Sequence, residues 1–371
     1  MHVSDQLSQP GGLRRPRVVR LTPLGRGAIA TLLVEGPGTL AAVASECRTA
    51  SGGPTGLSPG DRLRLVRFGP EPAEQVVLDA QGEDRVELNC HGGPAVVDRV
   101  IELLEARGCE PIDWRQSAEH SQEDPIAAAA LVALAAAPTL RTAAILLDQY
   151  RGALRAAIRS YAAAGRAADA KRRLLALADR ASLGRHLTAP WRLVVAGPPN
   201  AGKSTLTNAL LGYRRALVHP TPGTTRDLVT ALTAIDGWPV ELVDTAGLGD
   251  AEHPLERAGM ALAERELAAA DLALLVFDRS RPFSPADAAL RARWPDALVV
   301  RNKSDLPPGE SHASGLEISA ITGQGLESLL ATIARRLVPS PPPPGAAVPV
   351  TEDQIAEIND QIRRSEGGIR N

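Results

Sequence analysis

The sequence predicts an α/β domain of the P-loop kind over residues 189–338, with a mostly parallel sheet and helices on both faces. It is combined with a small N-terminal α+β domain and an α-helical domain. Three observations carry this. The apolar run Trp191–Ala196 leads into Gly197-Pro-Pro-Asn-Ala-Gly-Lys-Ser204, which fits GxxxxGK[ST] between a strand and a helix. Strands and helices then alternate in βα order to about Val338. Before this region, residues 16–112 read as short strands with turns, and Ile126–Leu183 as alanine- and leucine-rich helix.

The chain has 371 residues, 44% hydrophobic and 23% charged, which sets two or three globular domains and excludes a disordered or fibrous chain. No apolar stretch approaches the roughly 18 residues of a membrane span, and the first residues carry no secretory pattern, so a cytoplasmic location is expected. With 41 basic and 43 acidic residues the net charge is −2, which gives no field for DNA, and any RNA contact must be local. The three cysteines, Cys47, Cys90 and Cys109, have no metal-ligand spacing and read as small buried hydrophobes. Only Lys171, Lys203 and Lys303 are lysine, and two of them lie inside nucleotide signatures, where a compact charge serves and a planar fork does not.

In chain order, residues 1–15 are polar and aperiodic and read as a flexible tail. Strands are expected at Arg17–Leu21, Ala28–Val34, Asp61–Phe68, Gln75–Leu78 and Arg85–Asn89, then a helix at Gly93–Arg107 with a stripe of Val96, Val97, Val100, Ile101, Leu103 and Leu104. This N-terminal domain closes at 112. The helical domain spans 113–188, beginning with a polar connector over Asp113–Pro125 and continuing as two or three helices broken once at Pro138. Within 189–338, Ile235-Asp-Gly-Trp-Pro-Val240 predicts a hairpin, while Leu272–Phe277 and Ala297–Arg301 read as strands buried on both faces. Residues 339–350 open with Pro339-Ser-Pro-Pro-Pro-Pro344 and are expected as a stiff linker outside any core. Residues 351–371 hold one amphipathic helix, Thr351–Arg364, whose Ile355, Ile358 and Ile362 are expected to dock on the helical domain.

The chemistry lies in four motifs. The loop and helix start, Asn200, Ala201, Gly202, Lys203, Ser204 and Thr205, would wrap phosphates with backbone N–H groups. Lys203 reaches the β and γ phosphates there, and Ser204 binds Mg²⁺. Thr221-Pro-Gly-Thr-Thr225-Arg-Asp227 reads as a loop that orders around the γ-phosphate, with Thr224 and Thr225 at the nucleotide and Thr225 as second protein ligand to Mg²⁺. Asp244, Thr245, Ala246 and Gly247 follow an apolar strand. Asp244 would hold Mg²⁺ through water, and Gly247 admits a γ-phosphate to its N–H without a Cβ in the way.

Asn302-Lys-Ser-Asp305 ends a buried strand and selects the base. The Asp305 carboxylate accepts from guanine N1–H and the 2-amino group, whereas adenine would leave it facing an unprotonated N1. The stem of Lys303 would lie over the ring, and Ser319 and Ala320 would offer backbone donors to O6. Together these define a P-loop GTPase domain binding GTP and GDP. Leu248 stands where Ras-like enzymes carry a water-orienting glutamine. Either hydrolysis is slow or another group acts, and Glu256 is the nearest candidate, with an exposed helix carboxylate as the alternative reading.

These motifs resemble the MnmE (TrmE) family of tRNA-modifying GTPases over Trp191–Val338, and Leu21-Thr-Pro-Leu-Gly-Arg-Gly-Ala-Ile-Ala30 and Gly82–Pro94 resemble its N-terminal folate-binding and dimerisation domain. The resemblance implies a homodimer in which K⁺, held through Asn200, His219, Thr221 and Thr224, takes the part of an arginine finger as two G domains pair. Lys203, Thr225 and Glu256 would carry catalysis, with Glu256 placing the water. It also implies a one-carbon tetrahydrofolate, a flavin-dependent partner protein and tRNA wobble-uridine modification. The family's terminal Cys-x-Gly-Lys signature and its segment after the first domain have no counterpart, since no cysteine follows Cys109 and residues 111–120 read Pro-Ile-Asp-Trp-Arg-Gln-Ser-Ala-Glu-His. A GTP-dependent switch that has lost the tRNA chemistry, and regulates a partner protein or ribosome assembly, is the alternative reading.

Overall fold

The computed structural model describes residues 15–49, 51–60, 63–164, 168–212, 229–245, 264–309 and 314–367. The chain divides into two compact units between Glu123 and Asp124.

The first unit is built on a seven-stranded sheet. Its strands are β1 (Arg17–Arg20), β2 (Ile29–Glu35), β3 (Cys47–Arg48), β4 (Arg64–Phe68), β5 (Glu74–Gly82), β6 (Arg85–His91) and β7 (Glu110–Ile112), in the order β3-β4-β5-β6-β2-β1-β7. Strict alternation explains the register. Val76, Leu78 and Ala80 of β5, Val86, Leu88 and Cys90 of β6, and Ala30, Leu32 and Val34 of β2 are buried, and Leu78, Leu88 and Leu32 lie in one cross-strand row. Against that face pack Val43 of helix Thr39–Glu46 and Val97, Val100 and Leu104 of helix Pro94–Glu105. The predicted strands are present with edges shifted by at most four residues. The helix Thr39–Glu46 was not foreseen, because its eight residues are too few to show a helical stripe.

The supposed connector after residue 112 folds as helix Trp114–Ser121, because Asp113 accepts from Arg115 N and Gln116 reaches back to Asp113 N, a capping box in a polar segment. Ser117 Oγ donates to Glu35 at 2.6 Å, which ties this helix to the N-terminal sheet and carries the unit's end beyond 112.

The three cysteines are all free and buried. Burial pushes the Cys47 thiol up to about 12 and that of Cys109 up to about 11, and it raises Cys90 with help from the Glu74 charge. A folded thiol with a raised pKa keeps its proton, so the stability it confers is whole below the unfolded value and is lost as pH climbs toward the folded one. The native chain should therefore release less than one equivalent with a disulfide reagent at pH 8, and all three once denatured. Rapid native reaction would mean that the sheet opens.

Among the described residues, the second unit begins with helices Pro125–Ala135, Leu140–Tyr150, Ala153–Ala164, Ala168–Ala178 and Ala181–Arg185, where two or three were expected. Besides Pro138, the chain breaks at Gly152, whose φ of 99° belongs to glycine. The six-stranded sheet comprises β8 (Trp191–Ala196), β9 (Val229–Ile235), β10 (Trp238–Asp244), β11 (Leu272–Asp278), β12 (Leu298–Asn302) and β13 (Leu316–Glu317), in the order β13-β12-β11-β8-β10-β9. All pairs are parallel except β9 with β10. Leu193 and Val195 of β8 face one core with Leu206, Leu329 and Ile333. Val194 and Ala196 face the other, against which Leu290 and Trp294 pack. Burial on both faces is why β8 reads as a continuous apolar run.

The β9–β10 turn has Asp236 and Gly237 both at positive φ, 50° and 77°, as a two-residue hairpin requires. It is held by Arg141, which bonds the Asp236 carboxylate at 2.6 Å and lies 4.6 Å over Trp238, and by Thr139, which donates to Gly237 O at 2.7 Å.

The proline-rich stretch also departs from expectation. Ala347, Val348 and Pro349 are buried, and Val348 belongs to the main core. The stretch is tied down because its backbone groups find partners. Gln149 donates to Ala346 O and accepts from Val348 N, both at 3.0 Å, and Arg180 donates to Ala347 O at 2.9 Å. Beyond it, helix Glu352–Gly367 buries Ile358 against Leu154, Leu174 and Leu177, with Ile362 half-buried beside them. Among the described residues no helix is long and apolar enough to cross a membrane.

Candidate functional site

The site forms where parallel strands end. β8 runs into the loop Gly197–Gly202, which delivers the chain to helix Lys203–Gly212. Two glycines are obligatory for packing. At Gly197 (φ 147°) a Cβ would lie 2.1 Å from Val276 O, and at Gly202 (φ 89°) it would lie 2.3 Å from Asn302 Nδ2. Asn200, at φ 59°, is a residue type that tolerates left-handed backbone, and it is exposed. Lys203 Nζ donates to Gly197 O and Pro198 O, each at 3.0 Å, so the ammonium is held by the loop that would surround the phosphates. Ser204 and Thr205 are exposed in the first helical turn, where N–H groups lack intrahelical partners.

Asp244 closes β10 directly beside Val195 of β8 and is 6% exposed. Thr245 is fixed next to it, its Oγ1 donating to Val195 O at 2.9 Å. A serine hydroxyl and a carboxylate at the ends of adjoining elements are hard oxygen donors of the kind Mg²⁺ takes, and Mg²⁺ use belongs to GTPases generally. Ser204 would bind it directly and Asp244 through water.

The base side is assembled by Asn302, which closes β12 and is 2% exposed. Its Nδ2 donates to Ala201 O and its Oδ1 accepts from Ala320 N, both at 3.0 Å, so one side chain joins the phosphate loop to the Ser319-Ala320 turn. Ser319 Oγ accepts from Thr322 N at 3.1 Å, shaping that turn. Lys303 has φ 66°, and its Nζ lies 2.6 Å from Asp278 Oδ2. Asp305 is exposed.

The structure thus brings together Ala201, Gly202, Lys203, Asn302, Lys303, Ser319 and Ala320, with Asp244 and Thr245 beside the β8 strand. His219, Thr221, Thr224, Thr225, Ala246, Gly247, Leu248 and Glu256 lie outside the described residues. Asp278 was missed in the sequence. Its only signal is an acid closing an apolar strand, as Asp244 does, and its partnership with Lys303 depends on the β11–β12 register that sets Asp278 opposite Asn302.

A family model described as 50S ribosome-binding GTPase matches residues 192–303. The tRNA modification GTPase MnmE of Thermus thermophilus is 34% identical over 392 residues, covering 93% of this chain and 87% of that protein. MnmE of Alkalilimnicola ehrlichii is 35% identical over 357 residues, covering 83% and 79%. Among solved structures, the Era GTPase of Aquifex aeolicus bound to GDP and AlF4⁻ is 27% identical over 39% of this chain and 56% of its own, with a TM-score of 0.31. A P-loop braced by Asn302, in a chain matched to relatives over 79–87% of their length, leads to one conclusion: the chain hydrolyses GTP and belongs to the MnmE family of tRNA modification GTPases.

Proposed function

We propose that this GTPase is stimulated by K⁺, pairs through its G domains as a homodimer, and serves tRNA wobble-uridine modification with a flavin-dependent partner protein and a one-carbon tetrahydrofolate. The observation that carries the K⁺ reading is Asn200, exposed at the phosphate loop with its backbone left-handed. Its amide oxygen is a hard donor next to the phosphate cradle, and His219, Thr221 and Thr224, later in the sequence, would complete the ligand set. A cation held there would supply positive charge against the negative charge that develops on the phosphates.

The chain's own groups do the rest. Lys203 neutralises the β and γ phosphates, Ser204 and Thr225 hold the Mg²⁺ position, and Glu256 orients water in place of the Leu248 side chain, which cannot hydrogen-bond. Support for the folate reading comes from the N-terminal unit, where the two segments that resemble the folate domain meet. Gly27 N donates to Gly92 O at 3.3 Å and Gly92 N to Ala28 O at 3.1 Å, and a Cβ on Gly92 would lie 2.5 Å from Gly27 O.

The test is GTP turnover in KCl against NaCl at equal ionic strength. K⁺ is expected to raise turnover, and Asn200→Ala to remove the difference. Glu256→Ala should lower kcat by about 100-fold while nucleotide affinity is retained. Turnover that is negligible and indifferent to the salt would sink the reading and leave a slow switch whose partner supplies catalysis.

A further inference from the structure

Asp278 lies at the end of β11, and its surroundings set it apart from a surface carboxylate. Its side chain is 10% exposed, and both oxygens are engaged. Oδ2 meets Lys303 Nζ at 2.6 Å, while Oδ1 accepts from Ser280 N at 2.8 Å and Ser280 Oγ at 2.6 Å, so the carboxylate cannot rotate away from the lysine. The next residue sews the same turn to the base-selecting segment. Arg279 N donates to Asn302 O at 2.9 Å, Arg279 O accepts from Gly309 N at 3.0 Å, and Arg279 Nη1 donates to Leu306 O at 3.1 Å. Residues 278–280 therefore grip Asn302–Gly309 from the neighbouring strand.

We propose that Asp278 is a positioning residue for guanine recognition, its carboxylate anchoring the Lys303 ammonium so that the lysine stem is already laid out as the platform for the base. The inference rests on the reading of Asn302–Asp305 as the guanine site. The physical reason is entropy. A lysine stem has four rotatable carbons, and ordering it when nucleotide arrives would be subtracted from binding. Anchored in advance, it is not. Lys303 also sits at positive φ, an uncommon backbone conformation for a non-glycine residue. Burial by itself raises the Asp278 carboxyl, but the hydrogen bonds from Lys303 and Ser280 and the lysine charge outweigh it. The group stands below its ordinary value and is ionised at neutral pH.

The experiment uses the full chain and a fluorescent GDP. Asp278→Asn keeps the shape and the Ser280 contacts and is expected to weaken nucleotide binding about tenfold, as for one charge-assisted hydrogen bond. The loss should appear in KM for GTP, with kcat at saturation moving by less than about twofold, since no phosphate contact is touched. In a Lys303→Met background, which keeps an apolar stem without the ammonium, Asp278→Asn should cost nothing further. An equal loss in both backgrounds, or affinity within about twofold of the parent in Asp278→Asn alone, overturns the proposal. Asp305→Asn tells the two readings apart, because its amide donates to the 2-oxo group of xanthine. If xanthine nucleotides do not gain over guanine in that variant, the guanine site itself is misassigned. If they gain while Asp278→Asn is silent, only the role of Asp278 falls.

Discussion

Asn302→Ala is expected to weaken GTP binding by about 100-fold or more, because it strands two buried backbone groups at about 1–3 kcal/mol each. Ala201 O loses its donor and Ala320 N its acceptor, both bonded to Asn302 at 3.0 Å. Ala201 is fully buried, so water cannot reach its carbonyl without opening the loop. The same side chain fills the space beside Gly202, where its amide would stand 2.3 Å from any Cβ. Its removal therefore loosens the phosphate loop and the Ser319-Ala320 turn together, although Asn302 itself need not touch the nucleotide. Titration with a fluorescent GTP analogue reads the effect. Affinity within about threefold of the parent would mean that the loop holds its shape without this brace.

The second large effect is on stability. A Cβ at Gly184 would lie 1.8 Å from Pro349 O and 3.0 Å from Pro349 C, and these are backbone atoms that cannot rotate aside. The proline-rich stretch, a strap over this helix, is pinned just before that contact by Gln149 at Ala346 and Val348 and by Arg180 at Ala347, so either helix Ala181–Arg185 or the strap must shift. Gly184→Ala should cost about 2–4 kcal/mol, the range for overpacking against fixed backbone. In a unit of this size that lowers Tm by about 5–10 °C. Gly212→Ala is the control, since among the described residues a Cβ there meets nothing within 4 Å, and it should melt within about 2 °C of the parent. If Gly184→Ala melts with the control, the strap is not seated as described. The helix Glu352–Gly367 that follows the strap gives a second readout, because Ile358 shares a cluster with Ala347 of the strap.

Much of the GTPase sheet was legible in the sequence. β8 runs over Trp191–Ala196 as expected, because a strand buried on both faces must be apolar throughout and a phosphate loop must follow it at once. The Asp-Gly turn at 236–237 was legible because few other residue pairs accept two successive positive φ angles. Three expectations failed where polarity was taken as a proxy for looseness or breakers as a proxy for helix ends. Residues 113–125 are polar but self-capping. The helical region breaks at Gly152 as well as Pro138. The stretch 339–350 is rich in proline, yet its apolar end is clamped by Gln149, which lies 197 and 199 residues away from Ala346 and Val348.

What the sequence alone determined is the set of motifs carried by contiguous residues: the phosphate-loop pattern, the lysine inside it, the serine after it and the segment Asn302–Asp305. Such groups need only one strand, one turn and one helix start, so their spacing along the chain already places them. What only the tertiary structure decided is which distant group steadies each of them. Asn302 reaches Ala201 across 101 residues and Asp278 reaches Lys303 across 25, and these meetings follow from strand order and register rather than from any local pattern. A parallel sheet aligns strand ends that are remote in the chain, and hydrogen bonds of about 3 Å form only after that alignment is complete.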